Sequence, residues 1–209
     1  MSASTFTVHI VDDDNGVLRA MARLVRTAGY GCRTFDSPLQ FLDQYDPSGP
    51  GCIVLDVAMG ELDGLRLHEE LRERGVEHAV IFVTGKGDIP MSVQAMRAGA
   101  IDFLTKPVDS DALLAAIERA RSEDAEKQQQ VDERASIEAN LAKLTPRERE
   151  VLTHVIAGRL NKQIASDLGT VEKTIKVHRG RMMSKMGVHS VAELVRLAER
   201  AGVPPHEKQ

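Results

Sequence analysis

Five polar residues stand at the ends of short apolar runs, and their types are those that handle phosphoryl groups. Asp12 and Asp13 follow residues 6–11, Asp56 follows 52–55, Thr84 follows 79–83, and Lys106, with Pro107 behind it, follows 101–104. Carboxylates packed together repel one another unless a hard cation joins them, and an oxygen-only donor set suits Mg²⁺. A carboxylate fixed at the floor of such a pocket can act as a nucleophile and form an acyl phosphate. Asp56, which ends the run Cys-Ile-Val-Leu, is the candidate; Thr84 could then donate to one phosphoryl oxygen and Lys106 pair with another. Taken singly none of these residues is diagnostic, because acidic residues after strands are common. The chemistry needs all five to converge.

The apolar pattern supplies a fold that would bring them together. Residues 6–11, 33–35, 52–55, 79–83 and 101–104 are mostly continuous in apolar side chains, as strands buried on both faces of a parallel sheet are. Amphipathic segments at 15–27, 38–45, 64–74 and 89–98 lie between them, and Gly29, Gly75 and Gly99 stand where three of these would stop. Ser37-Pro38 offers an N-cap and a proline at the first helical position. Five β-α units predict a doubly wound α/β domain over 1–121. Ligands of such sheets bind beyond the carboxyl ends of the strands, where the five polar residues fall. Asp14 continues the acidic run and reads as solvated or as a cap of the next helix, and His9 reads as a packed strand residue.

From Asp109 a helical pattern begins with Leu113, Leu114 and Ile117, then loses its apolar stripe across 122–130. Residues 122–142 therefore read as a linker, either a solvated helix or disordered. Residues 143–209 are all helix by their punctuation. Thr145-Pro146-Arg147-Glu148 is a capping box with proline at the first position, opening a helix that ends at Gly158. Asn161 can cap a short helix ending before Gly169, Thr170 a longer one stopped by Gly187, and Ser190 with Glu193 a fourth that stops near Gly202. Four helices, the middle two joined by a tight turn at Gly169, predict a helix-turn-helix domain.

Composition agrees with two globular domains. The chain has 209 residues, 42% hydrophobic and 28% charged, an ordinary soluble balance. Aromatics are 3% with no Trp, so the cores must be aliphatic. No apolar run approaches the roughly 18 residues of a membrane span and no leader precedes the first strand, so a membrane or secreted protein is not expected and the cytoplasm is. Cys32 and Cys52 lack CxxC spacing, which argues against a zinc site or a disulfide scaffold. The net charge of −4 divides into −6 over 1–121, −4 over 122–142 and +6 over 143–200. A basic module on an acidic chain points to a nucleic-acid surface.

The helix expected at 171–186 locates that surface. At about 100° per residue, Val171, Ile175, Met182 and Met186 share one face, with His178 beside them as a structural histidine, and that face should pack on the domain. The opposite face presents Lys173, Val177, Gly180 and Ser184, flanked by Lys176 on one side and by Thr174 and Arg181 on the other. In a major groove Lys176 could donate to guanine and Val177 touch a thymine methyl. Thr174, Arg181 and Lys185, with Asn161 and Lys162 at the preceding turn, are placed for phosphates. Gly180 offers no side chain, which predicts close backbone approach.

Val11-Asp12-Asp13, Leu55-Asp56, Val83-Thr84-Gly85 and Thr105-Lys106-Pro107 resemble the receiver domain of bacterial response regulators. The stretch 87–90 through Ala95-Met96, Gly99-Ala100 and Asp102-Phe103-Leu104 is similar to the FixJ-type subgroup, and residues 144–152 with 161–165 resemble its LuxR-type output domain; styrene-catabolism regulators look close. The resemblance implies a flavodoxin-like sheet of order 2-1-3-4-5 and an all-α four-helix output domain. It implies that Asp56 accepts phosphoryl from a sensor histidine kinase, with Mg²⁺ held by Asp13, Asp56 and the Ala58 carbonyl, and by Asp12 through water. It further implies Thr84 and Phe103 as a switch pair, a cis Lys106-Pro107 peptide, a homodimer of the phosphorylated form, binding to double-stranded promoter DNA, and RNA polymerase as a further partner.

Two positions depart from that pattern. Where the family has a polar residue two places after the phosphoacceptor and proline at the fourth, this chain has Ala58 and Gly60. A carbonyl ligand survives any side chain, so the departures bear on phosphoryl lifetime. Aspartyl-nucleophile phosphohydrolases also combine Asp, Thr, Lys and Mg²⁺, but they place a second carboxylate where Ala58 stands, so an enzyme is the lesser alternative. A regulator that works without phosphorylation is another. Met91 reads as interface or core, and Met96, Met182 and Met186 likewise.

Overall fold

A computed structural model describes residues 5–60, 62–85, 93 and 95–206. Its described part divides into two compact units, Met1–Lys127 and Gln128–Gln209.

The first unit is a five-stranded, all-parallel sheet of order β2-β1-β3-β4-β5, with β1 Thr7–Val11, β2 Gly31–Phe35, β3 Gly51–Asp56, β4 Ala79–Thr84 and β5 Asp102–Thr105. Helices α1 Asn15–Thr27, α2 Pro38–Gln44 and α3 Gly64–Glu73 follow the first three strands. The doubly wound sheet expected from the sequence is the one observed, each strand within two residues of its expected bounds. Half of the helix expected at 89–98 falls outside the described residues, as do Met91 and the stretch 87–90; residue 93 and residues 95–97 are helical.

Alternation along the strands divides the core into two layers. Val8, Ile10, Cys52, Val54, Ile81 and Val83 face α1 and the first turns of the long helix that begins at Ser110. Val11, Ile53, Leu55 and Phe82 face Phe41 of α2 and Leu67 and Leu71 of α3. Because apolar side chains leave both faces, the strands read as unbroken apolar runs. His9 is a polar exception within β1. It is buried against Phe35, Phe41 and Tyr45, and burial, with His78 and Arg33 nearby, lowers its pKa to about 4. Asp14 caps α1 by accepting from the N–H groups of Gly16 (2.6 Å) and Val17 (3.2 Å).

Helix α4 runs unbroken from Ser110 to Ala142. Of the two readings left open for 122–142, the helix holds. Its first turns place Leu113, Ala116, Ile117 and Ala120 in the core of the first unit. Its last turns place Ile137 and Leu141 in the core of the second. Residues 126–136 are exposed throughout, held by pairs such as Gln128–Asp132 and Arg134–Glu138 four residues apart.

The second unit completes its core with α5 Pro146–Ile156, α6 Asn161–Asp167, α7 Glu172–Met186 and α8 Val191–Arg200. The Thr145–Glu148 capping box forms in both directions. Glu148 is buried, and its carboxylate, holding Lys185 and the Thr145 N–H, has its pKa lowered to about 2. Three caps differ from expectation. Leu160, not Asn161, precedes α6, and Gln163 supplies the acceptor for its N–H (2.8 Å). Val171, not Thr170, precedes α7, so its side chain is 64% exposed rather than on the buried face. Ser190 caps α8, but Glu193 reaches past it to the His189 N–H (2.9 Å).

Candidate functional site

The loops after four strands meet at the carboxyl edge of the sheet. The Asp12 N–H is tied to the Phe35 carbonyl (3.1 Å), the Val57 N–H to the Val83 carbonyl (2.9 Å), and the Lys106 N–H to the Thr84 carbonyl (2.7 Å). These cross-links leave little freedom in where the side chains start. Asp12, Asp56 and Thr84 are buried and Asp13 is exposed beside them. One carboxylate oxygen from each of Asp12, Asp13 and Asp56 lies within 4.8 Å of the other two. The Lys106 ammonium sits 2.7 Å from Asp12 Oδ2 and 3.2 Å from Asp56 Oδ2. The structure thus brings together Asp12, Asp13, Asp56 and Lys106, and sets buried Thr84 at the adjoining strand end, where its carbonyl accepts from the Lys106 N–H.

The electrostatics follow from burial. Burial raises the Asp12 pKa and the Asp56 carboxylate adds to it, while hydrogen bonds from Lys106 and from the Asp14 N–H (2.9 Å) oppose it. Burial alone would lower the Lys106 pKa, but the hydrogen bond and charge of Asp12, with Asp56, outweigh it and the net shift is upward. One ammonium facing three carboxylates leaves the cluster short of positive charge. Asp56 Oδ1, buried, has no hydrogen-bond partner among the described residues. Hard oxygen donors, excess negative charge and an orphaned buried oxygen fit a divalent cation such as Mg²⁺.

Ala58 is exposed between buried Val57 and Met59, and its side chain is a single methyl group with no polar atom. Gly60 is exposed too, and a Cβ there would meet nothing. Phe103 pairs with Phe82 across β4 and β5, two positions from the Thr84–Thr105 pair, which puts Phe103 and Thr84 on the same face. It is half-buried against the core that holds Ala95 and Ala100. The Lys106–Pro107 peptide is cis, as the resemblance implied.

Sequence reasoning missed Gly64. A Cβ on it would fall well inside contact with the Asp56 carbonyl, and its own N–H donates to the Val57 carbonyl (3.0 Å). Only glycine lets α3 start this close to the loop that carries Asp56. The signal available was the pair Asp63-Gly64, a cap residue followed by a glycine where any helix former would serve; Asp63 does cap, accepting from the Arg66 N–H (2.8 Å).

On the second unit, α7 turns Ile175, Met182 and Met186 inward and leaves Lys173, Lys176, Val177, Gly180, Arg181 and Ser184 exposed, with Thr174 and His178 between. Lys162 is exposed on α6. Lys176 lies 3.3 Å from Glu172 in a solvated pair that contributes little. Two expected phosphate contacts are committed elsewhere. Lys185 is bound to the buried Glu148 carboxylate (2.6 Å) and the Lys143 carbonyl (3.0 Å), because an unpaired buried carboxylate would be costly. Asn161 accepts from Arg179 (3.0 Å), an arginine of α7 that the sequence reading left out.

A parallel receiver-type sheet with an acidic pocket, joined to a helix-turn-helix module, defines a two-component response regulator that controls transcription. Comparison with known proteins agrees. Residues 8–118 match the response regulator receiver domain and 142–198 the bacterial regulatory proteins of the luxR family. The transcriptional regulatory protein FixJ of Azorhizobium caulinodans is 43% identical over 198 residues, 95% of this chain and 94% of its own. The response regulator TodT of Pseudomonas putida is 42% identical over 200 residues, 96% and 88% of the two chains. The low-resolution structure of the response regulator StyR has a TM-score of 0.83 at 43% identity, covering 94% of this chain and all of that one. The chain belongs to the FixJ/NarL group of response regulators; it is a regulator of transcription and not the phosphohydrolase considered above. No helix among the described residues is long and apolar enough to cross a membrane.

Proposed function

We propose that Asp56 is the phosphoacceptor and that its phosphorylation by a cognate sensor histidine kinase switches on dimerisation and promoter binding in the cytoplasm. The observation that carries this reading is the convergence of Asp12, Asp13 and Lys106 on the buried Asp56 carboxylate. In the transfer the Asp56 oxygen forms a bond to phosphorus as the phosphorus–nitrogen bond of the donor histidine breaks. Asp13, Asp56 and the Ala58 carbonyl, with Asp12 through water, would hold a Mg²⁺ ion, which when bound would neutralise charge gathered on the phosphoryl oxygens. Lys106, paired with Asp12 and Asp56, neutralises part of the same charge, and Thr84 donates to a phosphoryl oxygen; Pro107 fixes the loop that carries the lysine.

Drawing Thr84 toward the phosphoryl group frees space on its face of the sheet, and Phe103 turns into it. That reshapes the surface over which phosphorylated chains pair, while residues 1–121 act as receiver, 122–142 as linker and 143–209 as output domain. Lys176 and Val177, on the same exposed stripe as Lys173, then read base edges while Thr174, Arg181 and Lys162 position the duplex through its phosphates. RNA polymerase recruitment, and so activation, completes the reading. Incubation with a small phosphodonor and Mg²⁺ should add one phosphoryl group to the intact mass. Asp56→Asn, isosteric but not nucleophilic, should add none; label persisting in that variant would overturn the assignment, and phosphorylated chains that stay monomeric in sedimentation would overturn the coupling to Phe103.

A further inference from the structure

Three glycines lie inside helices among the described residues, and two have a local reason. A Cβ on Gly16 would crowd the Asp14 carboxylate that caps α1 (3.0 Å), and one on Gly64 would strike the Asp56 carbonyl. Gly180 has none. It stands in the middle of a 15-residue helix, has ordinary helical backbone, is exposed, and an added Cβ would meet nothing within 4 Å. Glycine in a helix interior is unfavourable relative to alanine because it loses more backbone freedom on folding. The fold of this unit therefore gains nothing from Gly180 and is destabilised by it.

The place of the residue says what could compensate. Lys176 and Ser184 flank it one turn away on the exposed stripe of α7, and Val177 lies beside it. Lys176, Arg179, Gly180, Ser184, Asn161 and His189 line one concave surface of about 650 Å³. A side chain at this point would stand on the exposed stripe between Lys176 and Ser184. We infer that Gly180 is a specificity device: its missing side chain lets the α7 backbone sit close to the base-pair edges, so that Lys176 and Val177 reach them. The inference rests on the proposed recognition face and adds a depth requirement to it. Phosphates are not the feature read here, because a glycine contributes no charge and its cost to the helix would bring no gain in salt-dependent affinity.

The test uses the full chain, a duplex selected in vitro by the wild type from random sequences, and an unselected duplex of the same length. Gly180→Ala should raise the melting temperature of the output domain by about 4–8 °C, yet lower affinity for the selected duplex about tenfold. Affinity for the unselected duplex and the slope of affinity against salt should not change, and Gly180→Leu should lose more. Binding of the selected duplex by Gly180→Ala within about twofold of wild type overturns the inference, as does an equal loss on both duplexes with a shallower salt slope. Lys176→Ala separates the two levels: if it leaves the ratio of selected to unselected affinity unchanged, the recognition face itself is misplaced, whereas a fall in that ratio with Gly180→Ala inert leaves the face standing and removes only the glycine's role.

Discussion

The Lys106 ammonium lies 2.7 Å from Oδ2 of Asp12, a carboxylate with no exposure to solvent. A buried charge deprived of its partner costs several kcal/mol, more than the intact pair contributes. Lys106→Met should therefore lower receiver stability by about 3 kcal/mol in urea with chelator present. Excess Mg²⁺ should recover more stability in this variant than it adds to the wild type, because a cation then has three carboxylates and no competing ammonium. An Mg²⁺ effect equal in the two proteins would show that Asp12 and Asp56 do not share a cation.

Gly64 and Asp56 are in backbone contact, and no side chain can be inserted between them without moving one. Gly64→Ala should cost about 1–3 kcal/mol, the usual range for overpacking, and should slow phosphoryl uptake by shifting Asp56 relative to Lys106. A variant with unchanged urea midpoint would mean that the start of α3 yields freely.

His9 gives the receiver a pH dependence. Its folded pKa of about 4 lies below the ordinary 6.5, so between those values the unfolded chain holds a proton that the folded chain does not. Stability is thus full above pH 6.5 and falls as pH drops toward 4, by about 3 kcal/mol for this group. Burial is the main cause; His78 and Arg33 act in the same sense and Asp46 opposes them, while Tyr45 packs edge-on against the ring. His9→Phe should flatten this part of the profile, leaving the contributions of His68 and His154, which burial also holds low. An unchanged slope in the variant would refute the assignment.

Leu141 belongs to the output-domain core although it lies on the helix that leaves the receiver. Leu141→Ala should destabilise the output domain by about 2–5 kcal/mol, with the receiver transition unmoved. Differential scanning of the full chain would resolve this; a single unchanged transition for the output domain would place Leu141 outside its core.

Much of this molecule was legible in one dimension because its signals are local. Continuous apolar strands, capping boxes and stop glycines at Gly158, Gly169 and Gly187 depend on neighbours within a few residues, and a parallel sheet allows polar residues at strand ends to meet in only one crevice. That was enough to assemble Asp12, Asp13, Asp56, Thr84 and Lys106. The residues misplaced or overlooked depend instead on partners far along the chain. Lys185 looked like a free cation because nothing near it in sequence reveals that Glu148, 37 residues earlier, is buried and needs it. Asn161 looked like a cap until Arg179, 18 residues later, took its side chain. Gly64 acquired its role only when α3 closed onto the Asp56 carbonyl. Periodicity and capping are written into short windows of sequence; burial, and the pairing that burial compels, exist only once distant segments have packed.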